Sequence, residues 1–206
     1  MKMLAVYTNN FRPLFSNFKK SLGNCKDIEL IECLISFSKK YKKFEFQENS
    51  WYDAIELQLF NIIKFIKNET KEGEYFIISD VDVHFFQPEK IIELVKHDKD
   101  IIGMNEYGKM NSGFIIAKHN SDIIDMYEYI YEQVKSKKEG LADQDEINKY
   151  LKKNKINWGF IDARKALLGK QDIVLKSTVV FHATWTKTLE EKMSLINEVV
   201  EAYKKL

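Results

Sequence analysis

Apolar residues along this chain fall into short continuous runs, separated by longer stretches in which they recur at helical spacing. The short runs predict strands at 3–8, 28–35, 75–79, 100–104 and 112–118. The run at 75–79, YFIIS, is typical of a buried parallel strand because it is almost wholly apolar. Further short strands and loops are predicted over 157–182.

The stretches with helical spacing predict helices at 13–22, 51–67, 88–97, 121–136, 144–152 and 187–205. Pro13 and Pro88 suit the first turn of a helix, and Ser121 is a suitable N-cap. Strands that alternate with helices predict an α/β fold of three layers. No Gly/Ser-rich linker, repeat or low-complexity segment interrupts the pattern, so we expect residues 1–206 to form a single domain.

Composition narrows the possible partners. The formal net charge is +1, which gives no indication of a nucleic-acid or membrane partner. No apolar run is long enough to cross a bilayer, and the first run is too short for a signal peptide, so we expect a soluble cytoplasmic protein. The lysine-rich run 39–43 is expected to be a solvated face, and Cys25 and Cys33 are expected to stay reduced.

A pair of carboxylates, Asp80 and Asp82, directly follows the run at 75–79. In open α/β sheets, ligands bind beyond the carboxyl ends of the strands. If the backbone stays extended, positions two apart point to the same side and both carboxylates face one site. Two such anions need a cation, and their oxygen atoms suit Mg²⁺ or Mn²⁺ held together with substrate phosphates. The alternative is a solvated or helix-capping pair without a metal.

The stretch ISDVDVHFFQP at 78–88 resembles the aspartate-x-aspartate region of GT-A fold glycosyltransferases, that is, family 8 and related nucleotide-diphosphosugar transferases. Other segments resemble motifs of these enzymes in the same order: Tyr7 to Asn10, Asn111 to Phe114, Asp143 to Asp145, and Phe181 to Trp185. The resemblance implies a Rossmann-like GT-A fold with a mixed, mostly parallel central sheet. It also implies a metal-dependent enzyme that moves a hexose or deoxyhexose from a nucleotide-diphosphate sugar, a UDP-sugar, to a hydroxyl of a glycan, protein or lipid-linked acceptor.

The resemblance further implies roles for individual residues. The metal, Mn²⁺ or Mg²⁺, is expected to bind Asp80, Asp82 and His182, with His84 as a rival ligand. The residues implied in donor binding are Thr8, Asn10, Arg12, Asp80, Asn111, Ser112, Gly113 and Lys187. The implied catalytic residues are Asp143, on hydroxyls of the donor sugar, and Gln144, near the anomeric carbon, in a reaction that retains the anomeric configuration.

Several of these residues also have a simpler structural explanation. Asn111 and Gly113 are common turn residues, and Asp143 suits the first turn of a helix. Trp185 either stacks on a sugar or only packs. Gln58 lies at the helical position where many relatives carry a basic contact to the donor, so that contact is in doubt here.

Alternatives to the whole assignment also remain open. An inverting transferase would need a carboxylate base, for which Glu106, Asp145 and Asp162 are candidates. A haloacid-dehalogenase-type phosphohydrolase would use Asp80 as its nucleophile. A GT-A-like domain that binds a nucleotide-sugar without catalysis is the alternative that is not an enzyme.

Overall fold

The computed structural model describes residues 1–36, 49–137, 142–169 and 173–206. The lysine-rich run 39–43 lies outside the described residues. Within the described ranges the strands are β1 (Lys2–Thr8), β2 (Glu29–Ile35), β3 (Tyr75–Ser79), β4 (Val83–Phe85), β5 (Ile101–Glu106), β6 (Lys109–Lys118), β7 (Trp158–Phe160), β8 (Ala166–Leu168) and β9 (Val180–His182). The helices are α1 (Arg12–Leu22), α2 (Asn49–Glu69), α3 (Ser121–Lys137), α4 (Asp143–Lys153) and α5 (Leu189–Lys204).

The central sheet has the strand order β2-β1-β3-β6-β5-β7. Strand β6 is antiparallel to both of its neighbours, and the other pairings in this sheet are parallel. A smaller sheet has the order β4-β9-β8. The predicted fold class, α/β with a mixed and mostly parallel central sheet, is confirmed.

Alternate residues of the central strands pack on opposite faces of the sheet and so produce the layers. In β1, Met3 and Ala5 join the apolar cluster that includes α1 and α5, while Leu4 and Val6 join the cluster formed with α2, α3 and α4. This is the period of two that an extended chain imposes. The sheet is therefore covered by apolar packing on both faces.

Three local predictions are wrong. Strand β2 is half exposed rather than buried because, among the described residues, it pairs only with β1. Residues 88–97 form only a 3-10 helix, Pro88–Leu94, and the chain that follows passes the Tyr75 hydroxyl, which donates to the Lys99 carbonyl at 3.0 Å. Helix α3 is capped by Asn120 rather than Ser121, because the Asn120 Oδ1 accepts the Ile123 N–H at 2.9 Å.

An irregularity between β5 and β6 shapes the edge of the sheet. Gly103 pairs with Ile115, but the next residue of β5, Met104, pairs with Asn111. The intervening residues 112–114 of β6 are therefore released from β5 while β6 still pairs with β3. Such bulges bend a strand and redirect its side chains. Here the bulge turns residues 111–113 towards the end of β3.

Candidate active site

Asp80 and Asp82 lie in the connection between β3 and β4. Their segment forms a turn, so the extended backbone from which the sequence argument started is not present. The Asp80 N–H donates to the Gly113 carbonyl at 2.8 Å, and the Asp82 carbonyl accepts the Ala183 N–H at 3.0 Å. These two bonds tie the turn to β6 on one side and to the end of β9 on the other.

The turn brings both carboxylates to one imidazole. Ligand atoms of Asp80, Asp82 and His182 all lie within 4.8 Å of one another. The His182 Nε2 is 3.1 Å from the Asp82 Oδ1 and 3.9 Å from the Asp80 Oδ2. Asp80 is the accessible member, with 37% of its side chain exposed, against 10% for Asp82 and 6% for His182. The rival ligand His84 lies elsewhere, with its Nδ1 3.5 Å from the Asn17 Nδ2.

Asn111 fixes the orientation of the His182 ring. Its Oδ1 accepts the Gly113 N–H at 2.9 Å and lies 3.0 Å from the His182 Nδ1. Because that oxygen can only accept, Nδ1 must carry a hydrogen and donate it. The other ring nitrogen, Nε2, is thereby directed at the carboxylates, as in metal sites where an outer hydrogen bond sets the tautomer.

The three groups change one another's proton affinity. Burial raises the pKa of Asp80 above its ordinary value, and the negative charge of Asp82 raises it further. Burial also opposes ionisation of Asp82, but His182 and Lys192 outweigh burial and hold the pKa of Asp82 far below its usual range. Burial lowers the pKa of His182, but the Asp82 and Asp80 carboxylates outweigh it and raise that pKa above its ordinary value. The ionised form of Asp82 is therefore stabilised by the positive charges beside it, and the protonated form of His182 by the carboxylates.

Glu106 connects a second group of polar side chains. Its Oε2 accepts hydrogen bonds of 2.8 Å from both the Asn111 Nδ2 and the Gln144 Nε2. Its Oε1 accepts the Trp185 indole N–H at 2.6 Å. The Gln144 Oε1 in turn accepts from the Asn111 Nδ2 at 3.1 Å and from the Ser112 N–H at 3.2 Å. This network fixes Gln144 beside the bulge of β6.

Asp143, the first residue of α4, completes the acidic lining. Burial and the nearby charge of Asp80 raise the pKa of the Asp143 carboxyl to about 6, although hydrogen bonds from its own N–H, the Gln144 N–H and the Ser112 side chain favour the ionised form. The structure thus brings together Asp143, Gln144, Ser112 and Asp80, as the sequence resemblance implied.

Gly113 is required by the His182 ring. A Cβ built on Gly113 would lie 2.1 Å from the His182 Cε1, closer than any ordinary contact. From the sequence, this glycine was expected either to take part in donor binding or to be a simple turn residue. In the structure it lets β6 approach the imidazole, which places His182 over the bulge.

The predicted nucleotide loop lies at the same edge of the sheet. Thr8 ends β1, and its buried Oγ1 has no hydrogen-bond partner among the described residues. Asn10 and Arg12 are exposed. Arg12 borders a cavity of about 280 Å³ lined by Tyr7, Phe15, Ser16, Lys19, Glu32 and Leu34.

The position of the basic side chains differs most from what the sequence predicted. Lys187 is exposed just before α5, and its N–H donates to the Glu191 carboxylate at 2.7 Å. The lysine that contacts the cluster is Lys192, whose ammonium group pairs with Asp82. The only feature of the sequence that could have indicated Lys192 as a residue of the site is its place in the first turns of a predicted helix. Gln58, at the position flagged as a missing basic contact, donates to the Asp80 Oδ1 at 3.2 Å.

A family model described as nucleotide-diphospho-sugar transferase matches residues 24–196, which include both aspartates of the turn and the histidine of β9. The chain belongs to this family. It is a glycosyltransferase, and the phosphohydrolase alternative does not fit this assignment. No curated protein matches the sequence of this transferase significantly.

Solved structures show the same fold. The crystal structure of a glycosyltransferase involved in glycosylation of the major capsid of PBCV-1 is similar with a TM-score of 0.67 at 11% identity, over 95% of this chain and 98% of that chain. The galactosyltransferase LgtC in complex with donor and acceptor sugar analogs has a TM-score of 0.61 at 13% identity, over 100% of this chain and 96% of that one. The apo-form glycosyltransferase GlyE from Streptococcus pneumoniae has a TM-score of 0.60 at 11% identity, over 99% of this chain and 63% of that one. At such identities the similarity establishes the GT-A fold.

The residues present fit a divalent ion. Two carboxylate oxygens and one imidazole nitrogen, converging within 4.8 Å, form a donor set suited to Mn²⁺ or Mg²⁺ with phosphate oxygens completing the shell. Among the residues that the structure describes, no helix combines the length and apolar character needed to cross a bilayer.

Proposed function

We propose that this transferase moves a sugar from a UDP-sugar to an acceptor hydroxyl, with retention, at a divalent metal site formed by Asp80, Asp82 and His182. Residues 1–206 act in this proposal as one catalytic domain. The observation that carries it is the convergence of two carboxylates and an oriented imidazole at the carboxyl end of β3. That is the edge of an α/β sheet at which ligands bind.

The metal, Mn²⁺ or Mg²⁺, supplies Lewis-acid stabilisation of the leaving diphosphate. Asp80, the most exposed of the three ligands, faces the donor. Asp82 and His182 are almost buried and supply the fixed part of the site. Asn111 is buried, and both polar atoms of its side chain are bonded within the protein, so we assign it to positioning His182 and Gln144 rather than to direct contact with the sugar.

Asp143 and Gln144 are placed to hold the donor sugar. The Asp143 carboxylate can accept hydrogen bonds from sugar hydroxyls, with Ser112 holding it from the protein side. Gln144 is held by Glu106 and the backbone of Ser112, beside the metal ligands. Gly113 allows this close packing, as its contact with His182 requires.

Thr8, Asn10 and Arg12 are our candidates for contacts with the nucleoside. The unpartnered Oγ1 of Thr8 is a polar group that a ribose or base can satisfy. Arg12 offers a charged donor at the mouth of the cavity beside Tyr7. Lys187, exposed before α5, can reach a diphosphate only from the outer side.

Retention is favoured by the state of the three candidate bases. Both oxygens of Glu106 accept hydrogen bonds from protein groups. Asp145 pairs with Lys109 at 3.2 Å, and Asp162 pairs with Arg164 at 2.7 Å. All three candidate bases are thus engaged by protein donors in the structure, and on this observation we favour retention over inversion.

On the acceptor side, Tyr107 and Trp185 are the candidates. Their rings lie 5.8 Å apart, with 75% and 46% of the residues exposed. Trp185 has a positive φ of 59°, which is strained for a bulky residue, and its indole N–H is fixed by Glu106. An exposed aromatic ring held rigidly beside the donor site suits the apolar face of a sugar, so we propose a glycan acceptor.

The test is a calorimetric titration of the protein with UDP, with and without Mn²⁺, followed by a screen of UDP-sugars for turnover. Binding is expected only with the metal. Asp82→Asn should abolish metal-dependent binding, whereas Asp98→Asn, at a carboxylate with a 75% exposed side chain, should leave it unchanged. Circular dichroism establishes that both variants are folded.

Equal binding of UDP with and without Mn²⁺, or full turnover by Asp82→Asn, would contradict the proposal. Binding without any turnover would favour the non-catalytic alternative. Proton NMR of the first product formed decides the stereochemistry, since retention leaves the donor's anomeric configuration unchanged.

A further inference from the structure

Lys192 is a charged group at the metal cluster to which neither the sequence nor the family resemblance assigned a role. Its ammonium group pairs with the Asp82 Oδ2 and donates to the Ala183 carbonyl at 3.3 Å. Only 16% of its side chain is exposed. A lysine is rarely this buried unless its charge is paired.

Asp82 is therefore engaged on both sides. One oxygen faces the ammonium group of Lys192 and the other lies 3.1 Å from the His182 Nε2. A divalent ion that takes Asp82 as a ligand shares the carboxylate with Lys192, and the two positive charges repel each other even when they approach different oxygens of that group.

The helix that carries Lys192 holds it firmly. Thr188 and Glu191 form a reciprocal capping box at the start of α5, and Leu195, Ile196 and Val199 are buried in the core. Lys192 keeps this position although a positive charge in the first turns of a helix opposes the helix dipole.

We infer that Lys192 is a resident counter-ion of Asp82 that couples the metal to the nucleoside diphosphate. Without substrate, the ammonium group neutralises Asp82 and weakens binding of a divalent ion. When an ion binds with a nucleoside diphosphate, the displaced ammonium group finds a new anionic partner in the diphosphate, so each ligand favours the other. The coupling to the diphosphate rests on the proposed function, whereas the competition with the metal does not.

Calorimetric titration with MnCl₂ alone tests the competition. Lys192→Met keeps the aliphatic stem and removes the charge, and it should bind Mn²⁺ at least about tenfold more tightly than the unmodified chain. Lys204→Met, on the same helix and with 63% of its side chain exposed, is the matched control and should match the unmodified chain. Lys192→Arg keeps the charge and should also bind Mn²⁺ weakly. If Lys192→Met does not fold, Lys192→Gln takes its place in the comparison.

A second titration, with UDP at saturating Mn²⁺, tests the coupling. Lys192→Met should bind UDP at least about tenfold more weakly than Lys204→Met does. Mn²⁺ affinity that is equal in Lys192→Met and Lys204→Met overturns the inference. If no variant binds UDP, the proposed function fails, while the titration with Mn²⁺ alone still decides whether Lys192 competes with the metal.

Discussion

Substitution of Asp143 measures directly how much the acidic site lowers the stability of the folded state. The pKa of its carboxyl is raised to about 6 from the ordinary 3.8, first by burial and then by the charge of Asp80. The folded state therefore holds the proton more tightly than the unfolded state does. Between about pH 4 and pH 6 the native chain binds more protons, so its stability falls as pH rises through this window and stays reduced above it.

The magnitude follows from the shift. About two pKa units at about 1.4 kcal/mol each give an upper figure of about 3 kcal/mol at pH 8. Asp143 is only half buried, and an amide replaces its hydrogen bonds imperfectly, so we expect Asp143→Asn to gain about half of this. For a chain of this size, about 1.5 kcal/mol raises Tm by about 3–6 °C.

The assay is thermal unfolding followed by circular dichroism at pH 8, 6, 5 and 4. Asp143→Asn should unfold at the higher temperature at pH 8, and its advantage should shrink to nothing near pH 4, while its donor turnover falls. Asp145→Asn is the control, because Asp145 is exposed in the same helical turn, and its Tm should change by less than about 2 °C. A Tm advantage that is absent at pH 8, or that does not depend on pH, refutes the reasoning.

Two further predictions concern the support of the site. Gly113→Ala places a Cβ 2.1 Å from the His182 Cε1, so the imidazole ring must move. We expect Mn²⁺ binding, measured by calorimetry, to weaken at least about tenfold and the free energy of unfolding to fall by about 1–3 kcal/mol. Gly159→Ala, whose Cβ would have its nearest contact at 3.5 Å, is the control and should change neither quantity. Trp185→Ala should lower kcat/KM for transfer to a glycan acceptor by about tenfold while leaving metal-dependent hydrolysis of the donor unchanged. Tyr129→Ala, at an exposed tyrosine of α3, is the control and should change neither rate. Unchanged Mn²⁺ binding in the first case, or an equal loss of hydrolysis in the second, would contradict them.

The elements and layers were predictable because they follow from local periodicity. The apolar run YFIIS and the helical spacing of 51–67 correspond directly to β3 and α2. The edge position of β2 was not predictable, because the apolar pattern of a strand does not show whether one neighbouring strand or two will pair with it. The bulge between Gly103 and Met104 was also invisible, because it depends on the register with β6.

The three residues that the sequence analysis assigned to the metal lie together in the structure, but one physical reason for expecting this was wrong. Period-two alternation in a strand was expected to align Asp80 and Asp82, whereas a turn brings them together. His182 reaches them because Val83 pairs with it across β4 and β9, a contact between positions about a hundred residues apart that no local pattern encodes.

Side-chain direction explains what the sequence missed. Lys187 and Lys192 are five residues apart on the same segment, and composition does not distinguish them. The capping box at Thr188 starts α5 where it does, and only this phase directs Lys192 at Asp82 while Lys187 stays in solvent. Similarly, Glu106 was only one of three candidate bases until the hairpin of β5 and β6 placed it against Gln144 and Trp185.

The proposed cation site gives a physical reason for holding these acidic groups together. Burial, and after it the charge of a neighbouring carboxylate, raises the pKa of both Asp80 and Asp143. A fold selected for stability alone would separate these groups or neutralise them with more than one lysine. Lys192 pairs directly with Asp82, whereas Asp80, with 37% of its side chain exposed, accepts from the amide of Gln58 and lies 3.9 Å from the imidazole. Under the proposed function, Asp80 is therefore the carboxylate whose charge an incoming divalent ion with its diphosphate would compensate most.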